Sequence, residues 1–204
     1  MNSTVWNERY RAGHGSLAAP PVEPLQAFVE GLEPGYALDL ACGAGRNACH
    51  LARRGWKVTG VDFSGVALTV ARERSHDLTD LVSWEEADLL AYSPREEFYD
   101  LVVVTYLHLP RQELVRVFST VEKALKAGGL FYFLGHHRNN ISRGTGSPKH
   151  ADVAHVPEEI IPMLPWCTIL SAREEVRRPD HDRGGPGREQ QIDSLVIGQK
   201  RDLF

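Results

Sequence analysis

From about residue 36 onward, short apolar runs alternate with segments whose apolar residues recur every three or four positions. Runs of this length fit buried strands, and their alternation with helical patterns predicts a parallel sheet covered by helices on both faces. Strands are expected near 36–40, 57–61, 82–85, 101–105 and 130–135. Between the last two, Pro110 suits a first helical turn, and Leu114, Phe118, Val121 and Leu125 share a helix face. Gly128-Gly129 should end that helix.

Beyond the fifth strand, Gly135-His136-His137-Arg138 opens a polar stretch rich in Gly, Asn, Ser and His, which leads to a short helix expected over 157–164. Long loops of this kind are usually functional or mobile. Two more strands are expected at 167–176 and 192–197, around a Pro/Gly/Arg-rich connection at 179–188. Arg177-Arg178 and Arg183 to Arg188 read as an exposed turn and not as a phosphate site. Toward the start, Pro20, Pro21 and Pro24 read as a connection from an N-terminal helical segment to a helix over 25–31. No internal repeat is visible. A single domain over 1–204 is expected, with 1–34 as its N-terminal helical segment.

Composition narrows the function. The 27 acidic and 23 basic residues leave a net charge of -4, so no global basic field concentrates nucleic acid, and a nucleic-acid partner is not expected. No apolar run approaches the roughly 20 residues needed to cross a bilayer. Cys42, Cys49 and Cys167 are an odd number without zinc-ligand spacing, and Met1-Asn2-Ser3-Thr4 does not begin a basic segment followed by an apolar run. A reducing cytoplasm is the expected location. No metal site is expected, because His136, His137, His150 and His155 lack a compact ligand pattern.

The most informative stretch is Ala37-Leu38-Asp39-Leu40-Ala41-Cys42-Gly43-Ala44-Gly45-Arg46, an apolar strand ending in a carboxylate and a glycine turn. Gly43 and Gly45 allow backbone conformations closed to other residues, and the next helix points free amides at whatever binds. Gly43 to Ala48 also reads G-x-G-x-x-A, with Asp62 roughly 20 positions on, which fits a dinucleotide fingerprint. Asp39 argues against that reading, because a carboxylate there repels pyrophosphate and attracts an ammonium or sulfonium group. Cys42 beside the turn reads as a small residue permitting close approach, or as a nucleophile if its pKa is perturbed.

Leu38 to Gly45 resembles the first motif of the class I S-adenosylmethionine-dependent methyltransferases. Gly60-Val61-Asp62-Phe63-Ser64 and Glu86-Ala87-Asp88-Leu89 resemble their second and third motifs, in the same order. The resemblance implies a Rossmann-like, doubly wound α/β sheet, mostly parallel, with one antiparallel strand near the C-terminus. It implies S-adenosylmethionine as cofactor, with Asp39, Gly43, Gly45, Phe63, Leu89 and Thr105 around it. Asp62 would hold the ribose hydroxyls and Asp88 would meet the adenine amine. Trp6-Asn7-Glu8-Arg9-Tyr10 resembles the opening of the small-molecule branch that includes tellurite-resistance and thiopurine methyltransferases, where the N-terminal segment covers the cofactor. The bland alternative is a terminal helix anchored by two rings.

The expected reaction is methyl transfer to a small-molecule acceptor. If the acceptor must lose a proton, His108, in Thr105-Tyr106-Leu107-His108-Leu109-Pro110, is the candidate base; a thiolate or selenide needs none. Tyr106, His136, His137 and Arg138 are candidates for the acceptor pocket. The 105–110 loop lacks the Asp/Asn-Pro-Pro-aromatic sequence of enzymes that methylate exocyclic base amines, and the paired acids of protein-arginine methyltransferases are missing. Two other classes remain open: a nonenzymatic cofactor-binding sensor or scaffold, and a nicotinamide-dependent oxidoreductase.

Overall fold

In the computed structural model, residues 3–13, 20–143, 150–177 and 190–202 are described. Among them, seven strands form one sheet: β1 (Tyr36–Leu40), β2 (Lys57–Asp62), β3 (Val82–Glu86), β4 (Tyr99–Thr105), β5 (Leu125–His136), β6 (Cys167–Arg177) and β7 (Gln191–Lys200). Their order is β3-β2-β1-β4-β5-β7-β6. The first five pair in parallel, while β7 runs antiparallel to both β5 and β6. The expected Rossmann-like sheet with one reversed strand is therefore what the chain forms. Strand order turns back between β1 and β4, the switch point at which open α/β sheets leave a ligand crevice.

Apolar side chains fill both faces because alternate strand residues point opposite ways. Leu38 and Leu40 of β1, Val102 and Val104 of β4, and Phe131 and Phe133 of β5 pack under α5 (Arg111–Ala124). Ala37, Leu101, Val103, Tyr132 and Leu134 face the other way, toward α2 (Glu23–Val29) and α3 (Arg46–Arg53). Helix α4 (Gly65–Arg74) follows β2, with Ser64 capping it by accepting from the Ala67 amide at 3.1 Å. The N-terminal helix α1 (Ser3–Arg11) contacts α4.

Helix α5 stops at Ala124, short of Gly128-Gly129 where the sequence suggested. Leu125 turns extended (φ -73°, ψ 138°), buries its side chain completely and pairs with Tyr99. Lys126 then reaches Asp100 at 2.6 Å, so β5 begins five residues before the expected start at 130. The helix expected over 157–164 is one turn, Pro157–Ile160, continued by a tighter turn at Ile161–Met163. Pro162 has no amide hydrogen with which to extend the α-helical ladder.

Phe118 of α5 is fully buried and meets Phe131 and Phe133 edge-on, with ring centroids 5.4 and 5.7 Å away. Phe118→Ala should lower stability by about 3 to 5 kcal/mol, the usual cost of emptying an aromatic core position. Urea unfolding, with the slope of the transition unchanged, checks this.

Candidate active site

The same alternation that builds the core puts a set of polar side chains at one end of one face. Asp39 shares the face of Ala37, Thr105 that of Val103, His136 that of Leu134, and Asp193 that of Leu195. The first three sit at or beside the carboxyl ends of parallel strands. Asp193 joins them because β7 runs backwards, bringing it opposite His136.

Asp39 is completely buried, and neither carboxylate oxygen has a hydrogen-bond partner among the described residues. Burial pushes its pKa up to about 7, with Asp62 adding to the rise. The Ala48 amide and the Arg46 guanidinium pull the other way without cancelling it. Beside it, Gly43 and Gly45 take positive φ (54° and 74°), and a side chain at Gly43 would collide with the Tyr10 hydroxyl. Ala41, at φ 60°, accepts a conformation costly for a residue with a Cβ, as does Tyr106 at φ 55° just after β4. Two of the three non-glycine residues at positive φ among the described residues thus lie at the ends of the two strands flanking the switch point.

Asp62 is buried and accepts from the Gly43 amide through one oxygen and from the Ser64 amide through the other, both at 2.9 Å. Burial raises its pKa, against the pull of the Ser64, Gly43 and Phe63 amides. A pocket of about 500 Å³ opens next to it, lined by Ser3, Phe63, Asp88, Leu89, Leu107 and Leu109 among others. Phe63 is half-buried and Leu89 buried, while Asp88 is exposed and accepts from the Leu90 amide at 2.9 Å. An apolar slot with the Glu86 and Asp88 carboxylates at its rim suits a flat base bearing an amine.

On the other side of the switch point, Asp193 is enclosed, with no solvent exposure. It accepts from the Tyr106 hydroxyl at 2.8 Å and from Arg177 Nε at 2.8 Å, and its second oxygen lies 3.0 Å from His136 Nδ1. Gln191 adds a 3.4 Å contact. Burial works to raise the Asp193 pKa, but His136 and Arg177 outweigh it and hold the group below the ordinary carboxylate value. Arg177 is therefore buried in an ion pair, contrary to its expected place in an exposed turn. A partner carboxylate repays its desolvation. Arg178 and the 183–188 stretch lie outside the described residues.

The remaining sequence candidates fall in different places. The His108 ring stacks on His136 at 5.2 Å and 12°, with Nε2 buried and without a partner among the described residues. Burial, helped by His136, pushes its pKa down to about 3. Thr105 accepts from Asn47 Nδ2 at 2.9 Å, and the same Asn47 accepts from the Val22 amide, tying α3 to β4 and to the lead into α2. His137 accepts from the Asn139 amide at 3.0 Å and lies 3.7 Å from Glu174. Arg138 is held by both oxygens of Glu159 (2.9 and 2.6 Å), and His155 by the Leu109 carbonyl. His150 is exposed, so these histidines serve separate contacts.

Sequence reasoning missed Asn47 and Asp193. For Asp193 a signal existed: a lone acid inside the apolar run Ile192-Asp193-Ser194-Leu195-Val196-Ile197. Its partners, though, are separated from it by up to 87 positions.

A methyltransferase-domain family matches residues 37–129 of this chain. The 2-phytyl-1,4-naphtoquinone methyltransferase of Nostoc sp. is 29% identical over 177 residues, covering 82% of this chain and 74% of that protein. Among solved structures, the N-methyltransferase NodS of Bradyrhizobium japonicum, in complex with S-adenosyl-L-homocysteine, superposes with a TM-score of 0.74 at 20% identity, covering 99% of this chain and all of that one. TehB of Haemophilus influenzae gives 0.71 at 17% identity, covering 96% of this chain and 67% of that one. Residues 37–129 are thus similar to a methyltransferase domain, and the whole chain shares the fold of solved S-adenosylmethionine-dependent methyltransferases.

The cofactor fits the residues that are present. Its cations match the orphaned carboxylate of Asp39, and its adenine matches the slot beside Phe63 and Leu89. Asp39 also sets a pH dependence with a definite sign. Its folded pKa near 7 lies above the unfolded value near 4, so its stabilising contribution is complete below pH 4 and is lost as pH rises through 7. Asp39→Asn should therefore gain stability over the wild type between pH 5 and pH 8 by on the order of 2 to 3 kcal/mol. The wild type alone should show cofactor affinity that rises over the same interval, as the ionised carboxylate takes up a cation. Thermal melts and calorimetry at the two pH values check both statements.

Proposed function

We propose that this protein transfers a methyl group from S-adenosylmethionine to a small molecule, with the cofactor lying across the carboxyl ends of β2, β1 and β4. The observation that carries this reading is the buried, unpartnered Asp39 carboxylate beside a left-handed glycine turn. Asp62 takes the ribose hydroxyls, and Asp88 meets the adenine amine at the rim of the slot. When bound, the cofactor supplies an electrophilic methyl carbon on a sulfonium, so the protein's task is to align an acceptor and exclude water. The slot beside β3 would hold the adenosine, and Tyr106 and His136 stand across the switch point at the ends of β4 and β5.

Helix α1 serves as a cover. Ser3 lines the adenine slot, Asn7 accepts from the Ser64 hydroxyl at 2.6 Å, and the Tyr10 hydroxyl rests against Gly43. One helix thus touches the third-motif pocket, the second-motif loop and the glycine turn. The relatives' acceptors support a small-molecule substrate, and the net charge of -4 supports a partner other than nucleic acid. Cys42, Cys49 and Cys167 are all buried free thiols, which supports a reducing cytoplasm. Burial raises the Cys42 pKa well above the ordinary thiol value, so it is a small neutral neighbour of the glycine turn and not a nucleophile.

Calorimetry should detect S-adenosylmethionine and S-adenosylhomocysteine and no NAD. Asp62→Ala should weaken both sulfur ligands by about tenfold or more in a folded protein, since hydrogen bonds to a charged group contribute about 1.5 to 3 kcal/mol each. Tight NAD binding would overturn the assignment, and binding without transfer to any acceptor would favour a sensor.

A further inference from the structure

We propose that His136 is the general base of the transfer, that Asp193 positions it, and that the acceptor is a small phenol. This rests on the methyltransferase reading. The Asp193 carboxylate, an acceptor, lies 3.0 Å from Nδ1 of His136 and draws the ring proton there against the Gln191 amide nitrogen at 3.2 Å, leaving Nε2 as the proton-accepting nitrogen. The dyad stands at the carboxyl edge of β5, next to β4, and Arg46 of α3 lies over the Tyr106 ring at 5.7 Å. Tyr106 in turn packs against His136 at 4.9 Å. A continuous line of contacts therefore runs from the glycine turn to the dyad.

Every element around the ring contributes a polar or charged group. Tyr106 and His108 come from the loop after β4, Arg177 from β6, and Gln191 and Asp193 from β7. Arg9 of α1 acts on His108, which its surroundings keep neutral and a poor base. Asp193 is the group held ionised in a buried place, and a buried carboxylate paired to an imidazole is the arrangement that stabilises an imidazolium once it forms. Thiolate and selenide acceptors need no such device.

The step balances without another reactant. The acceptor O–H gives its proton to His136 Nε2 as the oxygen forms a bond to the methyl carbon. The carbon–sulfur bond breaks, and its electrons neutralise the sulfonium to a thioether. A phenol is the class of hydroxyl the site suits. Its proton leaves near pH 10, within reach of an imidazole, whereas aliphatic hydroxyls are far weaker acids. The surroundings are flat rings: Tyr106, His108 and His136.

The test supplies catechol and benzenethiol with methyl-labelled S-adenosylmethionine to wild type, His136→Gln and Asp193→Asn. Catechol should be methylated by the wild type, with kcat falling about 100-fold in both variants, KM within threefold and S-adenosylhomocysteine affinity unchanged by calorimetry. Nitrogen-15 NMR should find His136 as the Nδ1–H tautomer in the wild type and altered in Asp193→Asn. Because Asp193→Asn removes an ion-pair partner and could unfold, the wild-type spectrum and His136→Gln stand without it. Transfer to benzenethiol alone, transfer to neither by protein that binds the cofactor, unchanged kcat in folded His136→Gln, or an Nε2–H tautomer overturns the proposal. Failure to bind either sulfur compound overturns the methyltransferase reading itself.

Discussion

Two aspartates without solvent exposure sit on one face of the sheet, at one end, and the protein treats them in opposite ways. A buried charge is costly unless paired, and the alternative to pairing is a shifted pKa. Asp193 is paired with His136, Arg177 and Tyr106 and stays ionised. Among the described residues Asp39 has no such hydrogen-bond partner, and its pKa rises to about 7. A carboxylate kept dry and unpaired at a ligand crevice is a standing deficit that a cation from outside can relieve.

The rest of the fold serves that constraint. Parallel strands bring β1, β2 and β4 to the same edge, and the switch point between β1 and β4 opens the crevice above Asp39. Strained backbone at Ala41 and Tyr106 turns the chain sharply out of the two central strands. Asn47 bridges the segment before α2 to Thr105, which ties the start of α3 to the neighbouring strand end. Rigid support of this kind is what an in-line displacement requires of its scaffold.

The reversal of β7 divides the site into two halves with different chemistry. On the β2–β3 side the surfaces are carboxylates and apolar slots suited to an adenosine. On the β5–β7 side they are rings, an ion pair and a histidine, suited to an acceptor. Arg177 shows why the second half differs from its sequence reading. An arginine ahead of a Pro/Gly-rich connection looks like turn chemistry until β6 pairs with β7 and sets it against Asp193.

The sequence alone determined the sheet, the order of its first five strands' motifs, and the gathering of Asp39, Gly43, Gly45 and Asp62 at one edge. Those features rest on local signals: strand-length apolar runs, a glycine turn, and an acid closing each of three short motifs. It left the helix end at Leu125 misplaced, because burial and strand pairing of that residue outweigh the stop at Gly128. The cluster around Asp193 was visible only as separate residues. Tyr106, His136, Arg177 and Asp193 are scattered over 87 positions, and only antiparallel pairing of β7 with both β5 and β6 brings them within hydrogen-bond distance. Local patterning carries no signal for contacts set by sheet register, so tertiary structure alone decided which carboxylate is satisfied and which waits for a ligand.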